Sequence, residues 1–180
     1  MRAEIRERRD DFVTELPDGD KNLAFSVAPS PLAALFKPGK TVAGYIPVGS
    51  EADPARLLQA AENADCVTAL PHVTSIAAPM RFLKWNTADS LKDGPFGLLQ
   101  PAETNPEIKP DIILVPLIAF DRALNRLGQG AGHYDRALAL LDGAIAIGIA
   151  WSVQEEDSLA VDAWDIPLDA ILTEKEWIVR

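Results

Sequence analysis

Three glycines alternate along one segment of the chain, at Gly128, Gly130 and Gly132. Glycine adopts positive φ at little cost and lets the backbone approach a ligand closely, and successive backbone N–H groups in such a loop bind anions. Arg126 precedes the glycines and can neutralise phosphate oxygens, while Asp135 follows them and offers the hard oxygen ligand that Mg²⁺ prefers. These residue types at this spacing predict a phosphate-binding loop, reinforced by the N-terminus of the helix expected to follow it.

The glycine pattern has a second interpretation. It matches neither the Walker loop nor the G-x-G-x-x-G fingerprint of dinucleotide-binding domains, and a mobile glycine turn explains the same residues. In that case Arg126 and Asp135 form an ordinary salt bridge, and Asp135 stabilises the N-terminal end of its helix. The residues of the loop alone leave both interpretations open.

Short apolar runs, which predict buried strands, alternate with segments of helical spacing. We predict strands at residues 41–46, 66–70, 80–85, 112–116, 144–149 and 170–173, and helices at residues 1–15, 31–36, 55–63 and 134–141. The alternation predicts an α/β fold with a largely parallel sheet, in a single domain that spans residues 1–180. The glycine loop follows the strand 112–116, and ligands of open α/β sheets bind at the carboxyl ends of strands.

Three further predictions concern the packing and the ends of these helices and strands. The first helix has only a thin apolar stripe of Ile5, Phe12 and Val13, so we expect it to pack loosely at one end. Asp53 is expected to cap the helix that follows it, with the next proline at the first helical position. The strand 66–70 is expected to stop at Pro71.

The composition excludes several classes of function. The 180 residues include 17 Lys and Arg against 27 Asp and Glu, for a formal net charge of −10. This balance argues against nucleic acid or an anionic membrane as the main partner. The one cysteine, Cys66, excludes an internal disulfide framework and a cysteine-rich metal site. No apolar run predicts a membrane span and the start lacks the apolar core of a signal peptide, so we expect a cytoplasmic protein.

The loop and its flanks form part of a longer motif. The pattern Phe120-Asp121, then Arg126-Leu127-Gly128-x-Gly130-x-Gly132-x-Tyr134-Asp135, resembles the signature of the 5-formyltetrahydrofolate cyclo-ligase family, also called methenyltetrahydrofolate synthetases. Further matches follow the family's order along the chain: Arg2 and Arg6; Tyr45-Ile46-Pro47 with Glu51; Leu70-Pro71; Gly97 and Pro101; Gly148 and Gln154; Asp165, Pro167, Leu168 and Asp169; Thr173-Glu174. Several ordered matches are more specific than the glycine loop by itself.

The resemblance implies a fold and an activity. The fold is a three-layer α/β domain with helices on both sides of the sheet. The activity is the conversion of 5-formyltetrahydrofolate to 5,10-methenyltetrahydrofolate, with ATP and Mg²⁺ required and ADP and phosphate released. The implied partners are therefore a reduced folate and ATP, with no nucleic acid and no membrane; the sequence does not identify a protein partner.

The resemblance also implies roles for particular residues. Arg126 and Asp135 would support catalysis, Asp135 and Asp169 would bind the metal, and Ile46, Glu51, Gly130 and His133 would contact the folate. ATP would be bound by the N-terminal arginines and the whole loop, namely Arg2, Arg6, Arg126, Leu127, Gly128, Gln129, Gly130, Ala131, Gly132, His133 and Tyr134.

The chain departs from the family pattern at several positions. Leu117 and Leu124 replace glycines, Gln129 replaces a basic or aromatic residue, and His133 replaces an aromatic residue; Gln100 and Trp164 replace a glutamate and a histidine. None of these positions is one of the charged residues to which the resemblance gives a role in binding phosphate or metal. They keep open a non-catalytic folate- or nucleotide-binding relative of the same fold, and, as a third reading, a phosphotransferase that acts on another small amide or amine.

Overall fold

The molecule is organised around one mostly parallel sheet of seven strands. A computed structural model describes all 180 residues. The strands in chain order are β1 Thr41–Ala43, β2 Val67–His72, β3 Arg81–Lys84, β4 Lys92–Asp93, β5 Leu99–Gln100, β6 Ile112–Pro116, β7 Ala119–Phe120, β8 Arg126–Leu127, β9 Ile145–Ile149, β10 Ala170–Leu172 and β11 Trp177–Ile178. The sheet has the order β3-β2-β1-β6-β9-β10-β11, with only β3 and β11 antiparallel to their neighbours. The remaining four strands form two small hairpins, β4 with β5 and β7 with β8.

Helices cover both faces of this sheet. They are α1 Arg2–Glu15, α2 Asp18–Leu23, α3 Ser30–Ala33, α4 Ala55–Asn63 and α5 His133–Leu140, with 3-10 turns at Pro95–Gly97 and Ser152–Gln154. Buried residues of α3 and α4 pack in one core, and Ala137 and Leu138 of α5 pack in a second core on the opposite face. The three-layer α/β arrangement with a largely parallel sheet is confirmed. No helix combines the length and the apolar character that crossing a bilayer requires.

The predicted strands are confirmed in position, with some differences in their ends. β6 has the predicted bounds, whereas β1 ends at Ala43, three residues earlier than predicted. The prediction that the second strand stops at Pro71 is wrong, because β2 continues to His72. β1 pairs with β2 only as far as Ala69, so Pro71 meets no strand on that side and its missing N–H breaks no ladder there.

The helix starts follow the expected capping chemistry in one case and not in another. Oδ1 of Asp53 accepts a hydrogen bond from the backbone N–H of Ala55 at 2.9 Å, as predicted for a capping residue. The helix begins at Ala55, however, so the proline precedes the first helical residue by one position. α1 ends at Glu15, as predicted, but Pro17 is the N-cap of the short helix α2, which the sequence patterns do not predict.

The expectation that α1 packs loosely is wrong. Ile5 is only 3% exposed and packs with Ile118 and Leu159, and the partly buried Phe12 and Val13 pack against the larger core. Farther along, Phe12 meets Trp151 edge to face, with ring centroids 5.8 Å apart. The helix therefore lies across the molecule where β6 and β9 end, and it brings its arginines to that edge.

The segment expected to be an open loop after β6 begins as the hairpin of β7 and β8. Asp121 holds the turn between these strands, since its carboxylate accepts hydrogen bonds from Ala123, Asn125 and Leu159. Burial raises the pKa of the Asp121 carboxyl, but these hydrogen bonds outweigh it and the net pKa is lowered. Leu124, one of the departures from the glycine pattern, has φ +65° and is buried, so its core packing offsets a backbone conformation that suits glycine better.

Candidate ATP and folate site

The glycine loop lies at the carboxyl edge of the sheet, directly before α5. Gly130 has φ +102° and Gly132 has φ +66°, so both adopt the positive φ that is predicted for glycines in this loop. Gly132 is also the N-cap of α5, which directs the free N–H groups of the first helical turn towards this edge. Gly128 does not have positive φ, and a side chain there would meet nothing within 4 Å.

Two arginines of α1 reach this loop. Arg2 donates from Nε to the carbonyl oxygen of Gly128 at 2.9 Å, and Arg6 donates from Nη2 to Oε1 of Gln129 at 2.6 Å. Both side chains are near solvent, and their spacing of four places them on the same face of the helix. The structure therefore brings the N-terminal arginines to the glycine loop, as the resemblance predicts.

Glu51 comes to the same place from the segment after β1. Its Oε1 accepts a hydrogen bond from Nε2 of Gln129 at 2.9 Å, and its Oε2 accepts one from the backbone N–H of Val48 at 3.0 Å. Gln129 consequently bridges Arg6 and Glu51. Ile46, in the same segment, is partly buried against the core.

Two tyrosines lie near the Glu51 carboxylate. Burial, and after it the charge of Glu51, raises the pKa of the Tyr45 hydroxyl well above its ordinary value and raises that of Tyr134 as well. Both phenols therefore stay protonated at neutral pH. Tyr45 donates its proton to the carbonyl oxygen of Ala52 at 2.6 Å, which fixes the segment that carries Glu51.

Arg126 and Asp135 form the salt bridge that the sequence analysis left open. Arg126 lies on β8 with its side chain only 4% exposed, and its guanidinium donates to Oδ1 of Asp135 and to the carbonyl oxygen of Ile166. This differs from the expectation of a free loop arginine that faces phosphate, because both of its terminal nitrogens have protein partners. Asp135 is about one-third exposed and has no protein partner at Oδ2.

Asp169 lies apart from the other candidate residues. Its Oδ2 accepts a hydrogen bond from the backbone N–H of Ala146 at 2.7 Å. Ala146 is the second residue of β9, which is parallel to β1 and β6, so Asp169 lies at the amino edge of the sheet. The glycine loop lies at the carboxyl edge, and no group of three or more His, Cys, Asp or Glu side chains forms a metal cluster. The structure therefore does not bring Asp135 and Asp169 together, and a metal-binding role of Asp169 stays a prediction from the resemblance.

His133 and the arginine after the loop have structural partners. Arg136 donates to the carbonyl oxygens of Ala131 and Ile76, each at 3.0 Å, and its Nη2 lies 3.3 Å from Nδ1 of His133. Burial, followed by the nearby Arg136 charge, lowers the pKa of His133. Arg136 therefore connects the glycine loop to the segment between β2 and β3 and is not a free cation for phosphate.

Four apolar side chains in separate segments are about half exposed or more, at Val48, Ile76, Phe96 and Leu99. Of these, Val48 lies beside Glu51 and Ile76 lies beside Arg136, so both are near the glycine loop. Phe96 has φ +62°, a conformation that is uncommon for an aromatic residue. Isolated apolar residues in separate loops have no periodicity, so no sequence signal joined them.

The sequence and the fold of the chain match those of known proteins. Residues 1–174 match the sequence profile of the 5-formyltetrahydrofolate cyclo-ligase family. The chain belongs to this family. It is 35% identical over 159 residues to the 5-formyltetrahydrofolate cyclo-ligase of Mycolicibacterium smegmatis, a match that covers 82% of this chain and 80% of that protein.

Two further comparisons extend the relationship. The cyclo-ligase of Haemophilus influenzae is 36% identical over 97 residues, which is about half of each protein: 51% of this chain and 52% of the relative. The solution structure of Aquifex aeolicus 5,10-methenyltetrahydrofolate synthetase superposes with a TM-score of 0.73 at 29% identity, and covers 99% of this chain and 92% of its own. The sequence resemblance to this family is thus confirmed, and so is the fold that it implied.

Proposed function

We propose that this protein is an ATP-dependent 5-formyltetrahydrofolate cyclo-ligase. One observation carries the proposal: Arg2, Arg6, Glu51 and Gln129, distant in sequence, meet at a glycine loop on the carboxyl edge of a parallel sheet. That edge is where α/β sheets bind ligands. The reaction is inferred from the family to which the chain belongs. The meeting of these four residues at the loop indicates where ATP and the folate bind.

ATP binds with its phosphates against the glycine loop and the start of α5. Backbone N–H groups and the helix N-terminus attract phosphate oxygens there, and the loop residues from Leu127 to Tyr134 surround them. Arg2 and Arg6 provide mobile positive charge, since each makes a single hydrogen bond to the loop and lies near solvent. In an acidic protein these local cations are what a polyanion requires.

The residues present fit one Mg²⁺ ion bound mainly by ATP. Mg²⁺ on a nucleotide needs only one or two carboxylates, with phosphate oxygens and waters completing its shell. Asp135 offers Oδ2, which has no protein partner, at the start of the helix after the loop. The ion would neutralise charge on the phosphate oxygens.

The reduced folate binds beside the loop, next to Glu51 and the exposed apolar side chains of Val48 and Ile76. Glu51 accepts hydrogen bonds from N–H groups of the pterin, and Ile46 contributes apolar surface next to it. Gly130 and His133 adjoin the reacting groups from the loop. The exposed side chains of Val48 and Ile76 cover the flat apolar parts of the ligand.

The reaction needs positioning more than covalent chemistry by the protein. A formamide oxygen is a poor leaving group, so it first attacks the γ-phosphorus of ATP and ADP leaves, which gives an iminium phosphate at N5. N10 then attacks the formyl carbon and loses its proton to water, and phosphate leaves as the second ring closes. The glycine loop and the arginines hold the phosphates in line and stabilise the charge that develops on them.

A non-catalytic binding relative is the second candidate. The observation that favours it is the closed Arg126–Asp135 pair, which engages two residues expected to act on phosphate or metal. A cytoplasmic location remains a prediction from the sequence.

Ring closure has a direct test. We expect purified protein mixed with ATP, Mg²⁺ and 5-formyltetrahydrofolate to develop the methenyl absorbance, with one ADP released per ring closed. Omission of ATP, or removal of Mg²⁺ with a chelator, is the control and should abolish the signal. Folded protein that binds the folate but never forms the chromophore would support the binding relative instead.

The phosphate-binding role of the loop has a matched pair of variants. Gly130→Val places a branched side chain at φ +102°, whereas Gly19→Ala adds a methyl group at ordinary φ into open space in α2, outside the loop. We expect Gly130→Val to weaken ATP binding by about tenfold to a hundredfold, since one to two hydrogen bonds to phosphate are lost. Gly19→Ala should bind ATP like the wild type. Calorimetric titration with a non-hydrolysable ATP analogue checks both, and equal affinity of the two variants would show that the phosphates do not bind at this loop.

A further inference from the structure

Arg9 is the third arginine on the face of α1 that meets the site. The positions 2, 6 and 9 follow helical spacing, so these side chains share one side of the helix. Unlike Arg2 and Arg6, Arg9 is buried, with 5% of the residue exposed. It does not contact the glycine loop but the segment that carries Glu51.

The contacts of Arg9 converge on Ser50. Arg9 donates from Nε to Oγ of Ser50 at 2.8 Å, and the Ser50 hydroxyl in turn donates to the carboxylate of Asp10. The carbonyl oxygen of Ser50 accepts a hydrogen bond from Nε1 of Trp151 at 2.9 Å. Ser50 is thus fixed from α1 and from the end of β9, and its neighbour in sequence is Glu51.

The charge on Arg9 is poorly compensated. Its Nη1 is buried without a hydrogen-bond partner, and the nearest carboxylate oxygen, on the exposed Asp10, lies 3.9 Å from Nη2. A buried cation in this state costs stability, and replacement of such a group by an apolar one is often neutral or stabilising. Stability therefore does not explain why a guanidinium occupies this position.

We propose that Arg9 is a positioning residue for the folate side of the reaction. It acts through Ser50, setting the backbone from which Glu51 extends towards the substrate. It takes no part in ATP binding, although it shares the helix that carries Arg2 and Arg6. The proposal rests on the proposed function, because it assigns Glu51 to the folate.

The test compares the single variants Arg9→Met and Ser50→Ala with the double variant that carries both changes. Arg8→Met is the control. Methionine keeps much of the length of arginine and can fill its buried space. The serine variant removes the hydroxyl that accepts from Arg9 Nε and donates to Asp10. Arg8 is the adjacent arginine of α1, about half exposed, and pairs with Glu156 instead. For each protein the affinities for 5-formyltetrahydrofolate and for a non-hydrolysable ATP analogue are measured separately, together with urea unfolding and with kcat and KM.

We expect Arg9→Met to weaken folate binding by about tenfold, because the loss of one hydrogen bond that positions Glu51 corresponds to about this change in affinity. Ser50→Ala should have a similar effect, and the double variant should be no worse than either single one, since the two side chains act through one contact. ATP affinity and the urea midpoint should stay at or above wild-type values in Arg9→Met. Arg8→Met should match the wild type in every measurement.

Two results would overturn the proposal. A lower urea midpoint with unchanged folate affinity would make Arg9 a packing residue, and a loss of ATP affinity would assign it to the nucleotide. The proposed function fails by a different result, namely wild-type protein that binds the folate without closing the ring, and the Arg9 comparison can still be made by binding. Wild-type protein that binds no folate would refute both.

Discussion

Replacement of Arg126 by methionine is expected to lower ring closure by about a hundredfold, the effect of losing one strong charge-assisted interaction. Arg126 holds Asp135, the carboxylate in the first turn of the helix after the glycine loop, and it also donates to the carbonyl oxygen of Ile166. Its side chain is nearly inaccessible, so no water can take over both contacts. We therefore expect the free energy of unfolding to fall by about 2–3 kcal/mol, which is less than for a fully buried pair because Asp135 is partly exposed.

A double variant separates these two losses. Arg126→Met with Asp135→Asn removes both charges, so it should recover most of the stability while turnover stays low. Urea unfolding and methenyl absorbance measure the two effects. Arg122→Met is the control from the same hairpin, because its guanidinium is exposed and pairs with Glu155 and Glu176; it should change stability only slightly and leave turnover unchanged. Full activity in Arg126→Met, with the stability loss present, would restrict Arg126 to a structural role.

The parts of this fold that follow from the sequence are those decided by local patterns. Both ends of the strand β6 could be predicted correctly, because an unbroken apolar run that ends in proline is typical of a strand covered on both faces. The positive φ of Gly130 and Gly132 follows from glycines at a strand-to-helix junction. The start of α4 follows from the Asp-Pro pair before it. Each of these inferences needed only neighbours in the chain.

The parts that the sequence did not give depend on contacts between distant segments. Arg9 lies in a helix with little amphipathic pattern, so nothing local distinguishes it from the exposed Arg8 beside it. The pairing of Arg126 with Asp135 was one of two open alternatives, and the choice depends on the hairpin of β7 and β8, which buries Arg126. Asp169 was placed with Asp135 by motif order alone, and sheet topology separates them.

The glutamine at position 129 illustrates what a departure from a family pattern can mean. The resemblance implies that Gln129 contacts ATP with the rest of the loop, at a position where the family often has a basic or aromatic residue. In the structure it accepts a hydrogen bond from Arg6 and donates one to Glu51, which a lysine or an arginine at that position could not do because neither has an acceptor. A neutral amide therefore connects the residues proposed for ATP to the residue proposed for the folate.

Asp135→Asn is the second variant with a large expected effect, and its three roles predict different results. As a ligand of Mg²⁺, Asp135 supplies an anionic oxygen, so its loss should lower turnover on the order of a hundredfold. It should also raise the Mg²⁺ concentration that gives half-maximal activity. As the acidic residue in the first turn of α5 it contributes only about 0.3–1 kcal/mol to helix stability. As the partner of Arg126 its loss leaves a buried cation without its carboxylate, which lowers stability without any effect on the Mg²⁺ dependence.

Measurement of the Mg²⁺ activation curve and the urea midpoint on the same preparation distinguishes these roles, and Asp169→Asn provides the matched control. Asp169 accepts a hydrogen bond from Ala146 at the other edge of the sheet, and an asparagine oxygen can still accept it. We therefore expect Asp169→Asn to keep the wild-type activation curve while Asp135→Asn shifts it to higher Mg²⁺. A lower urea midpoint in Asp135→Asn with an unshifted curve would show that Asp135 stabilises the fold through Arg126 and the helix end and does not bind the ion. A shift in Asp169→Asn alone would place the ion at the amino edge and contradict the site proposed for it beside the glycine loop.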